Sequence, residues 1–189
     1  MKYLILSVIL ILPLATFSQK FCDFSMNVTD SLGTYKATKD YLVHERNFGG
    51  KENYIFLSLI NENGTPYLKL QTVQKSPDVI KVNCLDATSK IYFQLTNGKI
   101  VTMIHNNEEN CGTMIRIESE NKYSRVNSGN FLFLKGSFED LKSAPISIMR
   151  IKYGIDTFDY VLVKEFKSEL TNESYSPENY FIDYLNCVE

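Results

Sequence analysis

Apolar and polar residues alternate with a period of two through most of the chain after residue 20, and clusters of Asn and Gly interrupt the alternation at short intervals. Successive side chains of an extended chain point to opposite faces, so this pattern predicts half-buried antiparallel strands joined by tight turns. Cys22, Phe24, Met26 and Val28 alternate with Asp23, Ser25, Asn27 and Thr29, which places a first strand here with Cys22 on its apolar face. Residues 34–45 are of mixed pattern, and Asn47-Phe48-Gly49-Gly50 reads as a loop. Residues 54–60 and 66–74 flank Asn61-Glu62-Asn63-Gly64, a four-residue hairpin connection. Counted outward from it, Leu57 faces Leu68 and Ile55 faces Leu70, while Ser58 faces Tyr67 and Phe56 faces Lys69. Pro66 has no N–H to give a ladder and belongs at a strand start or on an edge.

The next hairpin spans residues 90–105, with Asn97-Gly98 supplying the two positive φ angles of a type I′ turn. Residues then pair when their numbers sum to 195. Ile91, Phe93, Leu95, Ile100 and Ile104 face inward, and Tyr92, Gln94, Met103 and His105 take the wetter face. A slip of one residue reverses that assignment. Further strands are expected at 113–118, 130–135, 146–153 and 158–164, the last two joined across Gly154-Ile155-Asp156. Ser137-Phe138-Glu139-Asp140 has the capping-box spacing and starts a short helical turn that Pro145 ends. Ser176, Pro177 and Glu178 suit the N-cap and first turn of a closing helix, along which Phe181, Tyr184, Leu185 and Val188 recur at helical spacing. The fold class expected is mainly β: an antiparallel sandwich or strongly curved sheet, with one short internal helical turn and a C-terminal helix over an open edge or face.

A different pattern occupies the first residues. Lys2 precedes a nearly unbroken apolar run of about ten residues, half of what a bilayer span needs, followed by Pro13 and Ala15-Thr16-Phe17-Ser18. This predicts a secretory signal peptide over residues 1–18, cut between Ser18 and Gln19, and a single β-rich domain over 19–189. No later apolar run is long enough to span a bilayer, so a soluble periplasmic or extracellular protein is expected. A lipid anchor on Cys22 is not, because Phe21 stands where a small residue is required. Loss of Lys2 leaves 19 basic against 22 acidic groups, a net charge of −3. That balance, without Lys/Arg clusters, excludes a nucleic-acid partner, whose binding rests on a strong basic field.

All four cysteines follow the cut, and an even number in an oxidising compartment favours disulfides over catalytic or zinc-bound thiols. Of the three possible connectivities, Cys84 with Cys111 follows from the 90–105 hairpin. Its arms pair residues summing to 195, and 84 plus 111 is 195. Cys22 is then left for Cys187.

The stretch Phe138-Glu139-Asp140-Leu141-Lys142-Ser143-Ala144-Pro145-Ile146-Ser147-Ile148-Met149-Arg150-Ile151, with the closing Tyr184-Leu185-Asn186-Cys187-Val188, resembles small exported proteins of Gram-negative bacteria. The resemblance covers the last third of the chain. It implies the compartment and no activity.

The densest cluster of acid/base and ligand groups is His105, Asn106, Asn107, Glu108, Glu109 and Cys111. A Cys111 nucleophile with His105 as base needs a depressed thiol pKa and an orienting group such as Asn106 or Asn110. Oxidation of Cys111 removes that chemistry. Glu108 and Glu109 lack the spacing of a calcium loop, and His44-Glu45-Arg46 lacks the paired histidines of a zinc protease, so no metal is expected. His44 is placed at a surface strand end. Asp156, Asp159, Asp140 and Glu139 are read as solvated surface rather than as a glycosidase pair. No glycine-rich phosphate loop or Gly-x-Ser-x-Gly elbow exists, and no cofactor is implied. Tyr54, Phe56, Tyr67 and Tyr92 form either a second buried layer or an exposed recognition patch, and the buried layer is favoured. The function these features favour is a non-catalytic binding or scaffolding protein with an envelope or extracellular partner. A hydrolytic enzyme with a site near His105, Glu108 and Glu109 is the alternative. Convergence of several of His105, Glu108, Glu109 and Cys111 in a concave pocket points to the enzyme, an exposed aromatic patch to the binder.

Overall fold

The computed structural model describes residues 20–189; the signal segment and the Ser18/Gln19 cut lie outside the described residues. The elements in chain order are β1 (Phe24–Asp30), β2 (Gly33–Thr38), β3 (Tyr41–Phe48), β4 (Lys51–Glu62), β5 (Thr65–Ser76), β6 (Lys90–Leu95), β7 (Ile100–His105), β8 (Thr113–Ile117), β9 (Lys122–Phe133), α1 (Ser137–Ser143), β10 (Ile146–Lys152), β11 (Thr157–Val161), β12 (Phe166–Lys167), β13 (Ser174–Tyr175) and α2 (Tyr180–Tyr184).

Eleven strands form one antiparallel sheet in the order β1-β2-β4-β5-β9-β7-β6-β10-β11, with β3 added beside β4 and β8 beside β9. The spine is three strands of 12 residues, β4, β5 and β9. Each outer spine strand is shared between two neighbours. Residues 60–62 of β4 pair with β2 and 51–57 with β3, whereas residues 131–133 of β9 pair with β7 and 122–126 with β8. The sheet therefore forks on both sides and curls until the His44 ring on β3 meets the Tyr160 ring on β11 at 5.0 Å. No ladder joins β3 to β11, and the barrel stays open.

Ile55, Leu57, Leu59, Leu68, Leu70, Ile91, Phe93, Met103, Phe131, Met149 and Ile151 pack into one core with Leu141 of α1 and Phe181, Leu185 and Val188 of the C-terminal segment. Phe181 meets Phe93 edge-on at 4.9 Å, which seats the helix on the sheet. Each of these fully buried side chains contributes about 1.5–3 kcal/mol of transfer free energy. A second, smaller cluster of Leu42, Tyr54 and Tyr175, with Phe56 and Phe166 against it, lies under the β12–β13 hairpin. Of the four aromatics expected in a second buried layer, Tyr54 is core, whereas Phe56, Tyr67 and Tyr92 are only half-buried.

Both hairpin registers differ from those counted on the sequence. Between β4 and β5 the turn is the two-residue Asn63-Gly64, with φ of 52° and 84°, the type I′ signature. Leu57 then pairs with Leu70, and Leu59 with Leu68. The shift is even, so every side chain keeps its face. At Asn97-Gly98 only Gly98 has positive φ, and the Asn97 side chain accepts the Lys99 N–H. The Gly98 N–H bonds to the Leu95 carbonyl and the Leu95 N–H to the Lys99 carbonyl, which makes a three-residue loop. Pairs now sum to 194, and β7 is slipped by one residue. Val101, Met103 and His105 point inward, and Ile100 is 64% exposed, while Ile91, Phe93 and Leu95 on β6 remain inside.

Other expectations are corrected more locally. Met26 and Val28 are exposed because no layer lies over β1, which also bulges between Phe24 and Met26. β9 begins at Lys122 rather than at residue 130. Gly136, not Ser137, caps α1, and Ser176 makes no side-chain cap; its N–H bonds to the Tyr41 hydroxyl instead. The bridges join Cys22 to Cys187 and Cys84 to Cys111, with Cα atoms 5.6 and 3.9 Å apart. Cys84 meets Cys111 although the hairpin sum is 194, because the longer arm takes up one extra residue before Leu85 pairs with Asn110.

Candidate functional site

The end of β7 and the loop that follows it build a polar bowl. His105 is the last residue of β7 and, through the one-residue slip, lies inside at 3% exposure rather than on the wetter face. Its Nδ1 stands 3.1 Å from the Asp86 carbonyl oxygen, which assigns the ring proton to Nδ1, and its ring packs on Phe131 at 5.1 Å. Burial lowers its pKa, so the imidazole is neutral near pH 7. Beneath it β9 carries Gly129. A Cβ there would stand 2.6 Å from His105 Nε2, so the ring occupies the space a side chain would need.

The chain then turns back over β9. The Asn106 N–H bonds to the Asn130 carbonyl at 3.1 Å, and Asn107 takes a φ of 73°. Asn110 fixes the far end, donating from Nδ2 to the Ser128 carbonyl at 2.7 Å and accepting the Gly112 N–H at 2.8 Å. The space enclosed is about 420 Å³ and is lined by Tyr35, Lys69, His105, Glu108, Glu109 and Asn130 among others. Three residues singled out on the sequence therefore converge.

Cys111 does not join them as a thiol, since its sulfur is bonded to Cys84. Cys84, Cys111 and Glu109 bring their ligand atoms within 4.8 Å of one another, but the bridge leaves no thiolate to hold an ion. Arg125, only 8% exposed, anchors this loop from below by donating to the Cys111 carbonyl at 3.1 Å.

The other sequence candidates are dispersed. Asp156 pairs with Lys81 at 2.6 Å, Asp159 with Arg150 at 2.6 Å, and Asp140 with Lys99. These three carboxylates each have their own cation and Glu139 is exposed, which is the solvated-surface role. Arg150 lowers the Asp159 pKa through that hydrogen bond. His44 is half-buried against Tyr160 instead of at a free strand end, with its pKa lowered by burial and then by Arg46. It lines a cleft of about 400 Å³ with Glu45, Val161 and Phe166. Tyr92 and Ile100 line a shallow groove on the opposite face of the sheet from His105, with Ile148 and Arg150.

One polar array was not visible on the sequence. Arg46, Asn53, Gln74, Arg125 and Met114 are successive cross-strand partners from β3 to β8, one row across the sheet. Arg46, Asn53 and Gln74 line a cavity of about 500 Å³ under residues 78–81. These residues are up to 79 positions apart (46 to 125), and only the strand registers bring them into line. No family model, curated protein or solved structure matches the chain.

Proposed function

We propose that the chain is an exported, non-catalytic binding or scaffolding protein of the cell envelope, and that the bowl over β9 is its ligand-facing surface. The observation that carries this reading is the state of Cys111. The one sulfur in the cluster is tied to Cys84, and the neutral His105 has its Nδ1 on the Asp86 carbonyl and its ring on Phe131 rather than on a hydroxyl or thiol. Nucleophilic catalysis needs an activated nucleophile within reach of its base. What remains is a set of hydrogen-bonding groups suited to holding a polar ligand: Asn106, Asn130, Glu108, Glu109 and Lys69. Two disulfides suit an oxidising compartment, and among the described residues no helix is long and apolar enough to cross a membrane.

The hydrolytic alternative draws on the convergence of His105, Glu108 and Glu109 in one concavity. Chromogenic ester, peptide and glycoside substrates tested against the disulfide-intact chain and a Glu108→Gln/Glu109→Gln variant separate the two. The binding reading expects no turnover above the variant. Turnover that the variant loses overturns it. Cell fractionation and intact mass test the address: a mass matching residues 19–189 with both bridges is expected outside the cytoplasm, and a cytoplasmic, fully reduced chain refutes export.

A further inference from the structure

The sheet has four strands with a free side, β1, β3, β8 and β11, and they are not equivalent. β3 carries Glu45 and Arg46 at inner positions and is flanked by residues 166–175, where the Glu169 N–H donates to the Glu45 carboxylate and the Asn47 amide donates to the Glu169 carboxylate. β8 and β11 are five residues long and carry Arg116 and Asp159 at inner positions, the kind of charge that discourages a passing strand from pairing. β1 is seven residues, Phe-Ser-Met-Asn-Val-Thr-Asp, with no charge before Asp30 and no proline. Both of its faces are open to solvent, every residue from Ser25 to Asp30 being exposed, Met26 by 51% and Val28 by 45%. Its hairpin joins the sheet through three ladder pairs, residues 35–37 of β2 with 60–62 of β4, through hydrogen bonds of Thr34 with Asn63 and of the Leu59 N–H to the Thr38 hydroxyl, and through the Cys22–Cys187 bridge at its base. All of these lie on the β2 side or at the ends, so the outer edge of β1 stays unpaired. An unpaired strand edge of this length presents a row of free N–H and C=O groups that a further strand can satisfy.

We propose that the free edge of β1 pairs with β1 of a second copy of this chain, antiparallel about a two-fold axis through Asn27. The sequence of the strand is self-complementary in that register. Met26 meets Val28 of the partner copy, and the symmetry repeats the contact, so four apolar side chains gather on one face. On the other face Asn27 meets its own copy, and Ser25 meets Thr29, which offers amide and hydroxyl pairs. Asp30 falls opposite Phe24, and the two copies of Asp30 lie at opposite ends of the new ladder. No like charges are brought together. A foreign strand needs that match by coincidence; a second copy has it by symmetry.

A seven-residue ladder falls short of the roughly 1,200–2,000 Å² of a standard stable interface. The dimer is therefore concentration-dependent, with a dissociation constant between about 1 µM and about 1 mM.

Sedimentation equilibrium on the disulfide-intact chain tests this. The wild type is expected to shift from monomer to dimer across that concentration range. The double variant Met26→Lys/Val28→Lys, which sets lysine opposite lysine twice, is expected to stay monomeric. Mixing it with Met26→Glu/Val28→Glu is expected to restore a one-to-one heterodimer, which a variant that had merely lost its β1–β2 hairpin does not form. A wild type that is monomeric up to about 1 mM overturns the proposal. So does a dimer that survives in the lysine variant, or a charge-swapped pair that stays apart.

Discussion

Replacing Gly129 by alanine probes the packing under the bowl directly. Gly129 lies within β9 at an ordinary strand conformation, and at such a position alanine is normally favoured by about 0.5–1 kcal/mol, because glycine loses more backbone entropy on folding. The surroundings reverse the sign. The new Cβ would meet His105 Nε2 at 2.6 Å, Leu85 Cδ1 at 2.7 Å and His105 Cδ2 at 3.0 Å, all closer than carbon atoms tolerate. Neither neighbour yields freely. His105 is held through Nδ1 by the Asp86 carbonyl, and Leu85 is in the core, one residue from a bridged cysteine. Overpacking a well-filled site costs about 1–3 kcal/mol, so after the entropy gain the net loss centres on about 1 kcal/mol. That lowers the melting temperature by roughly 2–4 °C for a domain of this size. Urea unfolding with both bridges intact measures it, and His105→Ala in the Gly129→Ala background separates the cause, because removing the ring relieves the closest contact. A coupling of at least about 1 kcal/mol between the two substitutions is expected. A Gly129→Ala variant as stable as the parent, or more stable, refutes the inward placement of His105.

Acidification should destabilise the fold. His105 and His44 both have folded pKa values below the ordinary 6.5, burial being the main cause, so the unfolded chain binds their protons more readily. Their contribution is present above about 6.5 and is lost as the pH falls through that value towards the folded pKa. Unfolding free energies at several pH values should show that slope, and His105→Gln should flatten it; an unchanged slope contradicts the burial of the ring. The two bridges should differ in weight. In the chain-entropy model a separation of 27 residues for Cys84–Cys111 corresponds to about 3.5 kcal/mol and one of 165 for Cys22–Cys187 to about 5 kcal/mol. Paired Cys→Ser variants should therefore rank in that order in urea, and the reverse order counts against the bridge as the clamp between the N-terminal strand and the C-terminal helix.

How much of this was legible in the sequence turns on the difference between even and odd errors. Asn63-Gly64 and Asn97-Gly98 are the same dipeptide, yet the first asparagine takes positive φ and the second does not. The dipeptide alone does not decide this. At Asn63-Gly64 the misassigned loop length moved the register by two, and the aliphatic face of β4 and β5 survived intact. At Asn97-Gly98 it moved by one, so the inward set on β6 was found while that on β7 was inverted, and His105 was carried from core to surface with it. β1 shows a separate limit. Alternation tells which side chains share a face, but whether another layer covers that face is a property of distant segments, and nothing packs over Met26 and Val28.

The candidate site divides along the same physical line. Glu108, Glu109 and Asn110 are local, and their neighbourhood with His105 was readable because six residues of chain hold it. Tyr35, Lys69 and Asn130, the rest of the bowl, arrive through β2, β5 and β9. The Cys84–Cys111 pairing survived a wrong register because a one-residue surplus in the loop cancelled a one-residue error in the turn. The bridge and the bowl thus depend on the same short segment. Its extra residue lets Leu85 and Asn110 pair, and that pairing sets the cysteines opposite each other while the remainder of the loop rises over β9. Shortening the segment by one residue should for that reason disturb the disulfide and the bowl together.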